Sequence, residues 1–270
     1  MVEIFNDGKV RIAEGVIDRI EQQARDIFMI DIGNCFLDLI SPGQFICVAP
    51  LSPNSAMSRP FSVFAYDPFS GHLVLLIKVV GENTRLLSEL QPGQKVKITG
   101  PLGRGLNPND FAHQKVICVG GGIGLAPLYY LCSRFEDYYC QCHLLFGVKT
   151  AAELINFFEY DYKDYHIQSA TDDGTSNYHG MVTDLLEEQL RQPQLTKTVV
   201  VCCGPQKMMQ RATEICQQAK IDCYVILEKV MACGIGVCLG CSVKMKSGQQ
   251  RICHDGPIFD AKEVDWDAIC

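Results

Sequence analysis

Four cysteines near the C-terminus carry the chemistry that the rest of this chain must serve. Cys233, Cys238 and Cys241 are separated by four and then two residues, and Cys253 follows after eleven more. A Cys-x4-Cys-x2-Cys run with a distant fourth cysteine is the spacing that holds a [2Fe-2S] cluster. Three thiolates must converge on an iron pair from one tight loop, so Gly234, Gly236 and Gly240 are expected to take the positive φ that a Cβ would resist. Two other readings stand beside this one. Zinc sites usually show two cysteine pairs with two to four residues inside each, a pattern that the isolated Cys253 breaks. The other is four inert thiols.

A second group of residues could hold a flat heterocycle with a phosphate tail. Arg59-Pro60-Phe61-Ser62 stands where a Pro/Ser/Asn-rich loop (52–58) enters a β-rich run. The arginine fork matches a pyrophosphate, and the serine can hydrogen-bond a ring edge. Lys78-Val-Val-Gly-Glu-Asn-Thr84 closes a strand and opens a helix expected from Thr84 to Leu90, whose N-terminal amides suit a phosphate. Asn83 and Thr84 are equally good as ordinary caps. A third group, Gly120-Gly121-Gly122-Ile123-Gly124-Leu-Ala-Pro127, links a continuous apolar run, Val116–Val119, to a helical pattern from Leu128 to Phe135. Strand, glycine turn and helix in that order present backbone amides to a pyrophosphate. The string departs from G-x-G-x-x-G, with Pro127 at the third glycine, and no acidic residue follows at the position that holds a ribose.

The elements that must position these groups divide into two patterns. From Val10 to about Gly100 short β-rich runs alternate with turns: Ile27–Ile32, Gln44–Ala49, Phe61–Tyr66, Leu73–Val80 and Lys95–Thr99. Pro42-Gly43 and Pro92-Gly93 suit type II turns. This reads as an antiparallel β-barrel, ending in the glycine-containing loop Pro101–Gly105. Beyond His113 strands at Cys142–Val148, His166–Ala170, Thr198–Cys203 and Cys223–Leu227 join Val116–Val119. Helical patterns fall at Ala151–Phe158, Met181–Leu190 and Gln206–Ala219, which implies a five-stranded parallel, doubly wound sheet. Ligands of such sheets bind beyond the carboxyl ends of the strands, where Gly120–Gly124, Thr171–Gly174 and Cys203-Gly204-Pro205 lie. Asp172 and Asp173 read more as loop solvators than ligands. Cys203 faces either a nicotinamide or the core.

Composition narrows the function. The chain has 270 residues, 47% hydrophobic, enough for two domains and a small third module. A net charge of −7 and a pI of about 5.4, with no basic block, argue against nucleic acid as a partner. No apolar run reaches the roughly 18 to 20 residues of a bilayer span. Met1–Asp7 lacks the basic stretch and apolar core of a secretion signal, so a cytoplasmic protein without a membrane is expected. Of the fifteen cysteines, Cys47, Cys118, Cys132, Cys142 and Cys202 lie in apolar runs, where a reduced thiol acts as a small hydrophobe.

Taken in order, Arg59–Ser62, Gly81-x-Asn-Thr84, Gly100-Pro-Leu-Gly103, Gly120–Pro127 and Cys203–Pro205 resemble the ferredoxin-NADP reductase superfamily. With the cysteine run and Cys253-His-Asp-Gly-Pro-Ile-Phe-Asp260, nearly the whole chain is similar to the electron-transfer subunits of type B dihydroorotate dehydrogenase. The resemblance implies an FAD-binding barrel over 1–110, an NAD-binding α/β domain over 111–227 and a [2Fe-2S] module over 228–270. It implies FAD contacts at Arg59, Pro60, Phe61, Ser62, Leu76, Ile77, Lys78, Asn83 and Thr84, with Cys233, Cys238, Cys241 and Cys253 on the cluster. Many members have Gly-Thr where this chain has Asn83-Thr84, and asparagine is the next best residue at positive φ. The implied partner is an FMN-containing catalytic subunit, in a heterotetramer of two plus two, with dihydroorotate oxidised to orotate in pyrimidine biosynthesis. Reductase subunits of the NADH:ferredoxin, sulfite reductase and hydrogenase types share every one of these motifs except details of the cluster loop, and a non-enzymatic cluster-bearing sensor is a third reading. Lys149 has no second basic residue beside it, which favours NAD over NADP. Electron counting orders the cofactors: NADH gives two electrons at once and a cluster takes one, so a flavin belongs between them. No acid–base pair or nucleophile stands out among the six histidines.

Overall fold

Alternation drives the N-terminal sheet. Along Lys95–Leu102, Val96 and Ile98 are buried while Lys95 and Lys97 face solvent. The computed structural model describes residues 4–5, 9–51, 58–156 and 166–269. Seven antiparallel strands lie in the spatial order Arg59–Ser62, Phe45–Pro50, Lys95–Leu102, Arg11–Ala24, Ile27–Gly33, His72–Lys78, Ala65–Asp67. Ile17, Ile30, Ile46, Val48, Leu73, Leu75 and Ile98, from strands across the whole sheet, share one core, so the sheet curls into a half-barrel. Gly43 and Gly93 take φ of 94° and 88°, as the Pro-Gly turns require.

Two expectations change here. The single strand at Phe61–Tyr66 is two strands, Arg59–Ser62 and Ala65–Asp67, at opposite edges of the sheet. Val63 and Phe64 between them turn fully inward. The 14-residue strand Arg11–Ala24 has no counterpart in the sequence reading, because much of it is exposed and its apolar positions are sparse.

The second sheet has the order Tyr178–His179, His166–Thr171, Gln141–Val148, Lys115–Gly121, Thr198–Cys203, Asp222–Ile226, Ile258–Asp260. The five expected strands are there and parallel, and two more extend the sheet. Tyr178–His179 adds a parallel edge, and Ile258–Asp260 pairs antiparallel with Asp222–Ile226. That last strand comes from beyond the cysteine run, so the C-terminal segment is docked by covering an otherwise open sheet edge. Helices cover both faces: Leu125–Glu136 packs in one core, Val182–Arg191 and Gln206–Ala219 in the other. The helix expected over Ala151–Phe158 is only a 3-10 turn at Ala151–Glu153, after which Leu154 is extended. Residues 157 and 158 lie outside the described residues. Among the described residues no helix is long and apolar enough to cross a membrane.

The two sheets meet through the helix that follows the glycine turn. Tyr129 stacks on Phe64 of the half-barrel with ring centroids 4.3 Å apart, and buried Tyr130 donates its hydroxyl to the Ile40 carbonyl at 2.6 Å. Tyr130→Phe leaves that buried carbonyl short of a partner and is expected to lower stability by about 1–2 kcal/mol in urea unfolding.

One buried charge also ties the half-barrel. Asp31 receives Arg19 Nε at 2.7 Å and lies 3.5 Å from His72 Nε2. Burial raises the Asp31 carboxyl, but the His72 and Arg19 hydrogen bonds outweigh it and hold the group below its usual range. The His72 imidazole is raised in return, by Asp31 and against burial. The depressed Asp31 contributes stability above the ordinary carboxylate range that is lost as pH falls through its folded pKa. The raised His72 contributes stability that is complete below about pH 6.5 and is lost as pH rises through its folded pKa. His72→Gln is therefore expected to cost more at about pH 5.5 than at about pH 8.5. The difference in urea midpoint from the parent measures this, and equal differences at the two pH values would exclude the pair from the stability of the sheet.

Candidate functional site

A cavity of about 780 Å³ opens between the half-barrel and the parallel sheet, within the range of cofactor sites. Arg59, Pro60, Phe61, Ser62, Leu76, Ile77, Lys78, Asn83 and Thr84 line one side of it. Strand geometry gathers them: Arg59–Ser62 is half-buried throughout and pairs with Phe45–Pro50, while His72–Lys78 brings Leu76 to Lys78 alongside. Phe45, Ile123, Ala126, Pro257 and the run from Ile226 to Met231 complete the lining.

Arg59 is pre-set rather than loose. With the Asn83 amide oxygen turned towards it, Nε and Nη2 donate to that oxygen at 2.9 and 2.7 Å. Asn83 therefore orients the arginine fork. It lies inside the helix Glu82–Ser88 with right-handed backbone, so the expected positive φ at Asn83 is not found. That helix begins two residues earlier than expected. Neither Asn83 nor Thr84 is the N-cap, which is Gly81; the Thr84 hydroxyl reaches back from the third helical position and accepts from Val80 and Gly81 N–H at 3.0 and 3.2 Å. Among the described residues Arg59 makes no ion pair, which leaves its charge for an anion. The lining joins an apolar wall to the Arg59 charge, and an FAD fits the residues present.

At the far side the glycine turn lies at the carboxyl ends of Lys115–Gly121 and Thr198–Cys203, where the strand order reverses. A Cβ on Gly124 would clash with the Cys203 carbonyl, so this glycine permits the two loops to touch. Gly122, at φ 55°, has open space where a side chain would stand. Of Gly120, Gly121, Gly122, Ile123, Gly124, Cys203, Gly204 and Pro205, only Ile123 lines the cavity; the others sit beside it. Cys203 is fully buried, and burial, then the nearby Glu228 charge, push its thiol up, so its side chain belongs to the core. Asp173 is exposed and its carboxylate holds Thr175, the role of a loop residue.

Glu228 was not legible in the sequence. It opens on the cavity and solvent reaches it there, while the protein packed around it pushes its carboxyl above the usual range. Nothing in a Leu-Glu-Lys-Val run signals this, because the placement depends on where the last parallel strand ends.

The four cysteines of the C-terminal run come together in two pairs. Cys241 and Cys253 sulfurs are 3.2 Å apart, and Cys233 receives the Cys238 N–H at 3.4 Å with the Cys238 thiol beside it. Among the described residues no three His, Cys, Asp or Glu side chains are grouped as ligands of one ion. Two plus two is the donor set of a two-iron core, with two thiolates for each metal, and the cluster fits these residues. Burial raises the Cys233 thiol, but the Cys238, Ile235 and Val237 amides and the Cys238 thiol overcome it and hold the group down at about 6. Cys253 is pushed up to about 12 by burial and then by Cys241. Gly234 and Gly236 have the expected positive φ, 69° and 83°. Gly240 does not; Leu239, at φ 61°, makes that turn instead.

Known proteins bear on this arrangement. The family described as the iron-sulfur cluster binding domain of dihydroorotate dehydrogenase B matches residues 228–265. An oxidoreductase FAD-binding domain matches 26–105, and an oxidoreductase NAD-binding domain matches 118–214. The electron transfer subunit of dihydroorotate dehydrogenase B (NAD(+)) from Clostridium acetobutylicum is 36% identical over 225 residues, covering 83% of this chain and 86% of its own. The Listeria innocua subunit of the same name is 34% identical over 255 residues, covering 92% and 96%. A solved NADH-dependent reduced ferredoxin-NADP oxidoreductase chain superposes with a TM-score of 0.81 at 27% identity, over 94% of this chain and 90% of that one. An Amycolatopsis cytochrome P450 reductase shares the fold, with a TM-score of 0.67 at 22% identity over 79% and 68%.

Replacing Arg59 with Ala is expected to weaken flavin retention at least about tenfold, the worth of a lost charge-assisted bond. Asn83→Ala, which frees the fork without removing its charge, is expected to weaken it less. Flavin released per chain on dilution measures both, and an Arg59→Ala protein that keeps its flavin as the parent does would move the anion site elsewhere.

Proposed function

The chain belongs to the family of electron-transfer subunits of dihydroorotate dehydrogenase B, and from that premise we propose how its own residues carry electrons. It is an NAD-linked flavin and iron–sulfur oxidoreductase component that supports oxidation of dihydroorotate to orotate in pyrimidine biosynthesis.

The chemistry supplied by a bound flavin is the exchange of a hydride for single electrons. The residues around the cavity do the rest. Arg59, oriented by Asn83, holds the phosphates; Pro60 to Ser62 and Leu76 to Lys78 hold the ring; the Gly120–Gly124 turn with Cys203-Gly204-Pro205 receives the dinucleotide. Cys233 and Cys238 form one thiol pair and Cys241 and Cys253 the other, and together these four would hold the cluster. The working division is 1–110, 111–227 and 228–270, with Ile258–Asp260 of the last part lying in the middle sheet.

One contact supports this order. Pro60 lines the cavity, its cross-strand partner is Cys47, and the Cys47 sulfur lies 3.0 Å from where a Gly234 Cβ would stand, beside Cys233. The flavin cavity and the cluster loop thus meet through the one strand Phe45–Pro50, whose Phe45 lines the cavity and whose Cys47 side chain touches the loop. On its outer side the loop exposes Ile235, Val237 and Leu239 around the exposed Cys238. An apolar rim on the cluster suits docking of a separate catalytic subunit. We assign that subunit an FMN and the assembly two copies of each chain.

Under anaerobic conditions NADH is expected to bleach both the flavin and the cluster absorbance of the isolated chain within seconds. Dihydroorotate is expected to bleach neither until the catalytic subunit is added. A colourless, iron-free anaerobic preparation would end the cluster reading, and dihydroorotate oxidation by the isolated chain would end the division of labour.

A further inference from the structure

Arg251 ends the hairpin of Ser242–Met245 and Gly248–Arg251, two residues before Cys253. Its guanidinium is locked by a carboxylate: Nε reaches Asp255 Oδ2 at 3.1 Å and Nη2 reaches Oδ1 at 3.3 Å. The Arg251 main-chain N–H adds a bond to Oδ2 at 2.8 Å, and Nη2 lies 3.0 Å from His254 Nδ1. A fork held in this way has one orientation. The remaining arm, Nη1, donates to the Gly236 carbonyl at 3.0 Å.

Gly236 is the tightest point of the cluster loop. Its φ is 83°, and a Cβ there would meet His254 at 2.8 Å. Its own N–H donates to Cys253 Sγ at 3.1 Å. Its carbonyl belongs to the same peptide group as the Val237 N–H, which faces the Cys233 sulfur. One guanidinium therefore grips a residue whose two flanking amides point at one sulfur from each thiol pair. A cation on a carbonyl polarises the peptide and strengthens the N–H at its other end. Amide donors and positive charge near a cluster's sulfurs stabilise the more negative, reduced form and raise its potential.

We propose that Arg251 is a positioning residue that sets the reduction potential of the cluster, and so how readily the cluster draws electrons from the flavin. The proposal rests on the cluster reading above. The charge acts through the Gly236 peptide and directly, since Arg251 also lies within electrostatic reach of Cys253 and Cys241. Asp255 and His254 are the groups that hold it in place.

The test uses the full chain, purified anaerobically, as parent, Arg251→Gln and Arg251→Lys. Cluster potential is read by a redox titration followed by the reduced-cluster EPR signal, beside iron content and the rate of flavin bleaching by NADH. Arg251→Gln is expected to retain NADH-driven flavin bleaching. At a fixed solution potential its ratio of reduced to oxidised cluster is expected to fall about tenfold, equivalent to about 59 mV for a one-electron couple. The Lys variant recovers part of the shift, because it restores the charge but not the fork. An Arg251→Gln protein with full iron and an unchanged potential overturns the proposal. If the Gln variant loses its iron, Arg251→Met, which keeps the length of the side chain without its charge, is read in its place, and full iron with an unchanged potential there overturns the proposal equally. A parent protein that lacks iron fails the cluster reading instead, so the two failures are distinguishable.

Discussion

The contact between the cluster loop and the Phe45–Pro50 strand is the constraint on which the rest of the molecule depends. Electron transfer weakens steeply with distance, so a site for two-electron chemistry and a site for one-electron chemistry must share a wall. Here that wall is one strand. Phe45 lines the cavity, Cys47 meets Gly234, and Phe45, Cys47, Cys241 and Cys253 belong to a single buried core. The small residues at the contact set its thickness. Gly234 has no side chain to hold the loop away, and Cys47 offers only one heavy atom beyond its Cβ. The Gly103-Arg104 loop seals the same junction, with Arg104 N–H donating to the Gly256 carbonyl at 2.6 Å.

Cysteine serves two purposes in this chain, and environment separates them. Cys118 and Cys132 sulfurs lie 3.6 Å apart in the first core, Cys202 and Cys223 4.0 Å apart in the second, and every described cysteine is free. Burial pushes Cys35 up to about 12, and Cys203 is likewise pushed well above the usual thiol range, which keeps such groups protonated and inert. Cys233 is held low instead by amides that the tight loop turns inward. The same loop geometry that gathers the thiols also supplies the donors that make one of them a ready thiolate. Arg251, pinned by Asp255, then stabilises the turn from outside.

Much of this architecture could be read from the chain because its signals are local. The five parallel strands, the Gln206–Ala219 helix, the Pro-Gly turns and the cysteine spacing each depend on neighbours within a few residues. What escaped reading was non-local or weakly patterned. The long Arg11–Ala24 strand is largely exposed, the Phe61–Tyr66 run breaks where two side chains turn inward, and Ala151–Glu153 yields only a single turn. Asn83 looked like a substitute for glycine, and proves to be the helix residue that aims Arg59. Gly240 looked like a turn glycine, while Leu239 takes the left-handed backbone.

By itself the sequence determined which groups are available: thiols at a spacing that closes on two irons, an arginine fork at a strand entry, and amides at a glycine turn. Those follow from residue type and short-range spacing. Only the tertiary structure decided which of them meet. It put Glu228 on the cavity and Cys203 in the core, closed the sheet edge with Ile258–Asp260, and set Arg251 against Gly236. These are contacts between residues distant in sequence, decided by packing of apolar faces that no local pattern encodes.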